Sequence, residues 1–307
     1  MITNMKIKNW GRAVLHFLYP KRCAACGIIL ANEEHMLCLS CEKEFHRDKM
    51  LLCLDCNREQ PACRCPPREM PKSGPDVFLH VIAYPCATAR RVLPKLKKHC
   101  TKEEIYFCAE EMATVLQNEI PIERLRREQY LVTFVPRRPQ NVRVYGYDHA
   151  RLLAKRIADL LGLPCLSLLS HKGGTQEQKL LSAAKRRRNA FASFELRPKA
   201  VKEIHDRKLI IVDDVITTGS SMFACTKHLR NAGATFVISL TFAKTISANR
   251  YATALQYLPA QQIAQRRHLS MPDYDAENLN SPNRKTKQMR EGLSYLDNVL
   301  EKRFDAF

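Results

Sequence analysis

The stretch that decides the fold is residues 209–221, Leu-Ile-Ile-Val-Asp-Asp-Val-Ile-Thr-Thr-Gly-Ser-Ser. Its first four residues are apolar and favour β-structure, which predicts a buried strand of a parallel sheet. Asp213 and Asp214 stand at the tip of that strand, where carboxylates can accept hydrogen bonds from sugar hydroxyls or hold a divalent ion. Acidic residues often simply end a strand, but here a turn rich in hydroxyl groups follows the pair.

That turn has the composition of a phosphate-binding loop. Its residues are Thr217, Thr218, Gly219, Ser220 and Ser221. The hydroxyls can donate to phosphate oxygens, and Gly219 allows the backbone to approach an anion closely. Residues 222–231 are predicted to be helical, so the positive end of the helix dipole would face the same anion. The stretch therefore predicts a site for a sugar phosphate.

The composition is that of an ordinary globular protein. The chain has 307 residues, of which 45% are hydrophobic and 26% charged, and its length is compatible with two domains. No apolar run approaches the length of a membrane span, and the N-terminus lacks the features of a signal peptide. We therefore expect a cytoplasmic protein without a membrane span.

The formal net charge of +19 narrows the range of partners. A cationic excess of this size attracts polyanions, as in proteins that bind nucleic acids. Phosphate pockets also need arginine and lysine, many basic runs are solvated faces, and metal-bound thiolates would offset part of the charge. The charge alone leaves open a nucleic-acid surface and a basic protein with a phosphate pocket.

Eight of the thirteen cysteines lie close together near the N-terminus. They are arranged as Cys23/Cys26, Cys38/Cys41, Cys53/Cys56 and Cys63/Cys65. The first three pairs are CxxC knuckles, whose spacing directs two thiolates at one tetrahedral metal ion. Gly27 and Asn57 follow two of the knuckles, where the chain must turn tightly. The pattern predicts two four-cysteine structural zinc sites, with either sequential or interleaved pairing.

The fourth pair departs from this pattern, because Cys63-Arg64-Cys65 has one intervening residue. A redox dithiol and an iron–sulfur cluster are the alternatives. The region lacks the βαβ setting of a thioredoxin-like motif, which favours structural zinc that folds a segment too short for its own core. The remaining cysteines are predicted to be small buried hydrophobic residues: Cys86, Cys100, Cys108, Cys165 and Cys225.

A proline-rich break at residues 66–75 is the clearest boundary in the chain. It predicts a cysteine-rich module at 1–70, an α/β domain at 76–245 and a polar C-terminal extension at 246–307. Short helices are expected at 13–19 and near the C-terminus. The predicted strands are 77–84, 131–135, 166–169, 209–215 and 235–241, and the predicted helices are 88–98, 103–117, 150–161 and 222–231.

This alternation predicts a parallel sheet with helices on both faces. Ligands of such sheets bind at the carboxyl ends of the strands, which is where Asp213 and Asp214 fall. A second ligand loop is expected after strand 131–135, where Arg137, Arg138 and Arg143 could hold a pyrophosphate. A solvated basic loop explains each arginine equally well.

Two residues that follow this loop are assigned to local structure. Asp148 directly precedes a periodic apolar run and is predicted to be a helix N-cap. His149 alone is more typical of a cap or packing residue than of a catalyst.

Between residues 170 and 194, glycines precede a basic run, which indicates a flap able to close over an anion. Gln178, Arg187 and Asn189 are its candidate ligands. The basic run could also hold nucleic-acid phosphates, with Phe191 and Phe194 near enough to stack on bases. Packing in the core would explain the two aromatic residues as well.

Residues 209–221 resemble the phosphoribosyl pyrophosphate (PRPP) loop of type I phosphoribosyltransferases. The whole order of parts resembles the ComF family of bacterial competence-associated phosphoribosyltransferase-like proteins, from about residue 18 to about 245. The matching parts are the double zinc ribbon at 23–65, Tyr84, Arg91 and Leu96-Lys97, Val135-Pro136, Gly146-Tyr147-Asp148, the segment from Gln178 to Phe194, and the PRPP loop. Departures are the Cys63/Cys65 spacing, the charged residues after Leu96 and the C-terminal extension.

The resemblance implies PRPP as ligand, with Mg²⁺. Asp213 and Asp214 would bind the ribose hydroxyls, and residues 217–221 would bind the 5′-phosphate. Lys97, Arg187 and the arginines after strand 131–135 would bind the negative charge of the pyrophosphate. It also implies a cytoplasmic role in passing internalised single-stranded DNA to recombination or uptake proteins. The acceptor stays open. The rival hypothesis is a catalytically idle PRPP or nucleotide sensor, whose zinc ribbon binds nucleic acid or protein.

Overall fold

The computed structural model describes residues 20–32, 34–173 and 183–256, with side chains described from residue 187 onward in the last segment. The helices predicted at 13–19 and near the C-terminus lie outside the described residues, and so does Gln178. Within the described part, no helix has the length and apolar composition needed to cross a bilayer.

A parallel sheet forms the centre of the fold. The strands are β1 (Val77–Tyr84), β2 (Leu131–Phe134), β3 (Leu169–His171), β4 (Phe194–Leu196), β5 (Lys208–Ile216) and β6 (Phe236–Thr245). Four of them form one sheet in the order β1-β6-β5-β2, with every neighbouring pair parallel. Parallel neighbours require crossover connections, which the intervening helices supply. The predicted α/β class with a parallel sheet is confirmed.

Helices cover both faces of this sheet. They are α1 (Leu39–Lys49), α2 (Ala87–Lys98), α3 (Lys102–Glu119), α4 (Ile122–Arg127), α5 (Pro139–Tyr145), α6 (His149–Leu161), α7 (Ala183–Ser193), α8 (Ala200–Ile204), α9 (Ser220–Asn231) and α10 (Ala248–Gln256). Along β5, Ile210 and Val212 face the core that holds α3 and α6. The alternate residues Leu209 and Ile211 face the core that holds α8 and α9. The strand is therefore buried on both sides, as its apolar run predicts.

Most predicted bounds differ from the structure by one or two residues, and three of the differences change the description of the sheet and its ligand edge. Helix α9 begins at Ser220, before the predicted start, and β6 runs on to Thr245. The strand predicted at 166–169 is wrong in its bounds, because β3 begins at Leu169 and pairs with β4 in a separate antiparallel sheet. Upstream of β3, Cys165 forms only an isolated bridge with β2.

The cysteine-rich segment packs directly onto the sheet domain. The Phe45 ring of α1 lies 4.9 Å from the ring of Phe107 and 6.4 Å from that of Phe242. Leu51, which follows α1, shares a second buried cluster with Leu255 of α10. Packing thus crosses the boundaries expected near residues 70 and 245, which remain predictions.

Candidate functional site

The two aspartates lie at the carboxyl end of β5, in the middle of the sheet. Asp214 is buried, and Asp213 is half-buried. The backbone N–H of Asp214 donates to Asp213 Oδ1, and that of Val215 donates to Asp214 Oδ1, both at 2.9 Å. These local bonds orient both carboxylates at the edge where a ligand would enter.

The Asp214 carboxylate has two partners from distant parts of the chain, the ammonium group of Lys97 and the imidazole of His149. Lys97 Nζ, in the last turn of α2, lies 3.0 Å from Asp214 Oδ2. His149 Nε2, at the start of α6, lies 3.5 Å from Asp214 Oδ1. Burial disfavours the Asp214 carboxylate, but His149 and Lys97 outweigh that penalty and hold the pKa of Asp214 well below its usual range.

The pKa values of the two neighbouring groups, Asp213 and Lys97, are raised instead. Burial, and then the charge of Asp214, raise the pKa of Asp213 well above its usual range. Partial burial alone would lower the pKa of Lys97, but the negative charge of Asp214 outweighs this effect and raises that pKa. The site therefore holds one carboxylate that is charged and compensated, beside a second that readily carries a proton.

Asp148 explains why α6 begins where it does. Its side chain accepts from the backbone N–H groups of Ala150 and Arg151, at 3.1 and 3.3 Å, so the predicted N-cap is confirmed. Its other oxygen accepts from the N–H of Arg137 at 2.9 Å, which ties the loop after β2 to the helix. The cap therefore places His149, the first helical residue, at the ligand edge.

His149 is a site residue that sequence reasoning assigned only to packing or capping. Its side chain is buried, and among the described residues its Nδ1 has no hydrogen-bond partner. The available signal was its position directly after a capped loop that follows a sheet strand, since such loops form the ligand edge.

Arg137 takes part in holding the site together. Its guanidinium donates to the carbonyl of Lys97 at 2.9 Å and to that of Tyr147 at 3.3 Å. It also lies 4.5 Å from the ring centroid of Tyr145. These contacts fix the end of α2, from which Lys97 reaches Asp214.

The remaining predicted ligands differ in their exposure and in their contacts. Arg138 is half-buried, and Arg143 is exposed on α5. Arg187 donates to the carbonyl of Glu69 at 3.2 Å, so α7 contacts the proline-rich linker. Asn189 accepts a hydrogen bond from Ser193 at its backbone carbonyl. Pyrophosphate binding by these residues remains a prediction.

The hydroxyl-rich turn after β5 leads directly into helix α9. Gly219 stands directly before the helix and has φ +77°. This backbone conformation is strained for a residue that carries a side chain. Thr218 Oγ1 lies 3.0 Å from Ser220 Oγ, and the N–H of Ser220 points at Thr218 Oγ1 at 3.4 Å. Thr217 and Ser221 are exposed at the rim. The turn presents hydroxyls and a helix N-terminus together, which suits a phosphate.

The proline-rich linker lies on this turn. A Cβ added to Gly219 would overlap the terminal methyl group of Met70 and would lie 3.4 Å from Pro67 Cγ. The linker thus does more than join two modules, because it covers one side of the turn after β5.

The eight clustered cysteines form two groups of four, and the pairing is sequential. One group contains Cys23, Cys26, Cys38 and Cys41, and the other contains Cys53, Cys56, Cys63 and Cys65. In each group the Sγ atoms all lie within 4.8 Å of one another. Cys26 Sγ and Cys38 Sγ are 3.7 Å apart, close to the ~3.8 Å expected for two thiolates on a tetrahedral zinc ion. Both groups fit a structural zinc ion.

Each cysteine group receives a cation from the sheet domain. Arg91 of α2 approaches Cys41 Sγ at 3.8 Å and donates to Glu44 at 2.5 Å. Lys244 of β6 is buried and donates to Cys63 Sγ at 3.4 Å and to the carbonyl of Cys65 at 3.3 Å. Four thiolates on Zn²⁺ leave a net negative charge, which these cations offset.

His149, Asp213 and Asp214 form a third group whose ligand atoms lie within 4.8 Å. Magnesium prefers oxygen ligands, so the carboxylates suit it and the imidazole does not. His149 is better suited to its contact with Asp214. A magnesium ion at this edge would therefore be held by carboxylate and ligand oxygens.

Comparison with known proteins agrees with this arrangement. Residues 148–258 match the phosphoribosyl transferase domain family. Competence protein F of Haemophilus influenzae is 37% identical over 89 residues, which cover 29% of this chain and 38% of that protein. The matched region thus spans well under half of its curated relative.

Solved structures give weaker likenesses. A purine phosphoribosyltransferase from Pyrococcus horikoshii is 13% identical with a TM-score of 0.27, covering 46% of this chain and 83% of its own. The UMP synthase of Leishmania donovani is also 13% identical, with a TM-score of 0.28. The match covers 74% of this chain and 40% of the UMP synthase chain. The fold class of this chain follows from its strand order, β1-β6-β5-β2, with parallel neighbours.

This chain is thus similar to phosphoribosyl transferase domains over residues 148–258 and to Competence protein F over 89 residues, and its two cysteine clusters lie outside the matched domain.

Proposed function

We propose that the protein binds PRPP at the carboxyl end of β5 and transfers its phosphoribosyl group to a nitrogen acceptor. One observation carries the proposal. The Asp213–Asp214 pair stands directly before a hydroxyl-rich helix N-terminus, and Asp214 is compensated by Lys97 and His149. Sugar hydroxyls and a phosphate are the ligands that such a pair and such a turn accept.

Each residue has a role in this proposal. Asp213 and Asp214 accept hydrogen bonds from the ribose hydroxyls, and residues 217–221 hold the 5′-phosphate. Lys97 keeps Asp214 charged and adds a cation beside the departing pyrophosphate, while arginines such as Arg138 hold that pyrophosphate. When bound with PRPP, Mg²⁺ would supply positive charge that stabilises the leaving group.

Calorimetric titration of PRPP with Mg²⁺ tests the binding. Changing Asp213 and Asp214 to Asn is expected to bring PRPP binding below detection, because each lost charge-assisted hydrogen bond costs about 1.5–3 kcal/mol. Changing Asp159 and Glu203 to their amides removes two exposed carboxylates elsewhere and is the matched control. Unchanged affinity in the Asp213/Asp214 variant would refute the proposal.

We further propose that the protein acts in the cytoplasm on single-stranded DNA during DNA uptake, together with recombination or uptake proteins. The name of its relative and the net charge of +19 support this role. Binding of a fluorescent oligo-dT is expected to weaken steeply between about 50 and 200 mM salt, because phosphate contacts release counterions. Affinity that is flat across that range argues against a DNA-binding face.

One observation favours the catalytically idle alternative. The Arg137 guanidinium, a predicted pyrophosphate ligand, donates instead to the carbonyls of Lys97 and Tyr147. A pyrophosphate-release assay with PRPP, Mg²⁺ and a panel of amines and bases separates the two functions. Release with at least one acceptor supports transfer, whereas PRPP binding without release supports a sensor.

A further inference from the structure

A cavity of about 350 Å³ lies between the second cysteine group and the turn after β5. The knuckle residue Leu54 and the linker residue Pro67 form one side of it. Thr217, Thr218 and Ile246 form the other side. The cavity is therefore formed where the cysteine module packs against the sheet domain.

Strand register puts this cavity beside the proposed ribose-phosphate site. Ile216 at the end of β5 is the register partner of Lys244 near the end of β6. Thr217, which follows β5, and Thr245, the last residue of β6, therefore lie next to each other at the carboxyl edge of the sheet. A molecule in the cavity would lie adjacent to a sugar phosphate held by the turn.

The lining indicates what kind of molecule fits. Leu52, Leu54, Pro67 and Ile246 offer apolar surfaces that suit a ring. Among the described residues, Thr245 Oγ1 is buried without a hydrogen-bond partner, although Thr245 lines the cavity. A ring with a polar edge would satisfy that hydroxyl and cover the apolar walls.

Size and charge restrict the ligand further. The volume is near the lower end of the range for small-molecule sites, which favours one or two rings. Asp55, which also lines the cavity, is paired with Arg250 at 2.6 Å and lies 4.0 Å from Arg68. Glu69 also lines the cavity, so two carboxylates offset the two guanidinium groups, and the cavity suits a neutral ring.

We infer that this cavity holds the ring of the acceptor, a free nucleobase or aromatic amine. The inference depends on the proposed transfer. The acceptor nitrogen forms a bond to C1′ as the bond from C1′ to the pyrophosphate oxygen breaks. The electron pair of that bond leaves with pyrophosphate, and the proton on the nitrogen passes to water.

The second cysteine group is then part of the acceptor site. Leu54 stands between the ligands Cys53 and Cys56, so bound metal would fix the wall that Leu54 provides. Lys244 holds the same group to β6 through Cys63 and Cys65. The first group lines a different cavity, between its own knuckle and α2.

The two knuckles supply a matched pair of variants. Leu39 follows the first cysteine of the Cys38/Cys41 knuckle, as Leu54 follows that of the Cys53/Cys56 knuckle, and both side chains are exposed. Protein saturated with PRPP and Mg²⁺ is titrated calorimetrically with adenine, uracil and aniline. At least one probe is expected to bind, and Leu54→Glu is expected to weaken that binding at least about tenfold, because the ring would meet a desolvated charge.

Leu39→Glu is expected to leave probe affinity within about twofold, and both variants are expected to keep their metal content and PRPP affinity. Thr245→Val, which keeps the shape and removes the hydroxyl, is expected to weaken the probe about threefold to tenfold. No binding of any probe to wild-type protein that binds PRPP overturns the inference. Equal effects of Leu54→Glu and Leu39→Glu overturn it too. Failure of PRPP to bind refutes the proposed function instead.

Discussion

Loss of metal from the second cysteine group is expected to destabilise the sheet domain as well as the cysteine module. Binding of a structural zinc ion contributes about 10 kcal/mol or more to the folding of the segment that holds it. Here Cys53 and Cys63 are buried, and Leu51 shares a core with Ala83 of β1 and Leu255 of α10. Unfolding of this group would expose sheet residues to water.

Lys244 adds to that effect. It is buried, and its ammonium donates to Cys63 Sγ and to the carbonyl of Cys65. If the group unfolds, a cation remains in the sheet without its partners, which costs about 3–5 kcal/mol for a fully buried charge. Metal loss and domain instability should therefore occur together.

Cys53→Ser tests this, with Cys225→Ser as the control. Both side chains are buried, but Cys225 belongs to neither metal group and lies on α9. Thermal unfolding by circular dichroism and zinc content by colorimetric release are measured together. Cys53→Ser is expected to lose one metal and to melt at least about 10 °C lower than Cys225→Ser. Equal melting temperatures despite the lost metal would mean that the module is only loosely attached.

Removal of the Lys97 ammonium is expected to shift the acid stability of the whole domain. Lys97→Met takes away the cation 3.0 Å from the buried Asp214. The expected cost at neutral pH is about 1–3 kcal/mol, below that of a fully buried pair because the Lys97 side chain is 40% exposed. His149 stays beside the carboxylate and keeps part of the stabilisation.

The direction of the pH effect follows from the pKa of Asp214. That pKa is lower in the folded protein than the ordinary value of about 3.9, so its stabilisation is complete above that pH and is lost as the pH falls further. Without Lys97 the folded pKa of Asp214 rises, and the advantage of the charged form shrinks. The stability lost between pH 5 and pH 3 should therefore be smaller in Lys97→Met than in wild type.

Urea unfolding at several pH values measures this, with Lys98→Met as the control. Lys98 is the next residue of the same helix, and its side chain is exposed. It is expected to give the wild-type profile within about 0.5 kcal/mol. If the profile of Lys97→Met runs parallel to that of wild type, Lys97 does not set the charge of Asp214.

Local patterns predicted much of the sheet and of its ligand edge. The bounds of β1, the N-cap Asp148 and the turn after β5 each depend on a few consecutive residues, and the structure places them as expected. Their signals are apolar runs, capping side chains and glycine, all of which act over one or two turns of chain.

Contacts between distant segments had no such signal. Nothing near Lys97 indicates that it meets Asp214, and nothing near Arg137 indicates that its guanidinium donates to the carbonyl of Lys97. The cysteine pairing was also undetermined, because three of the four pairs have the same spacing. Tertiary packing of segments that are distant in the sequence decides these contacts, and sequence periodicity does not report it.

The contact between Met70 and Gly219 has a consequence for how this protein can vary. The two positions lie in different modules, yet the methyl group of one occupies the space that a side chain at the other would need. A side chain at 219 would have to adopt a left-handed backbone, and the flexible Met70 side chain would have to move off the turn to make room for it. Because the Met70 methyl group can move, the backbone at 219 is the stronger constraint, and a substitution there should loosen the linker from the sheet domain as well as strain the turn.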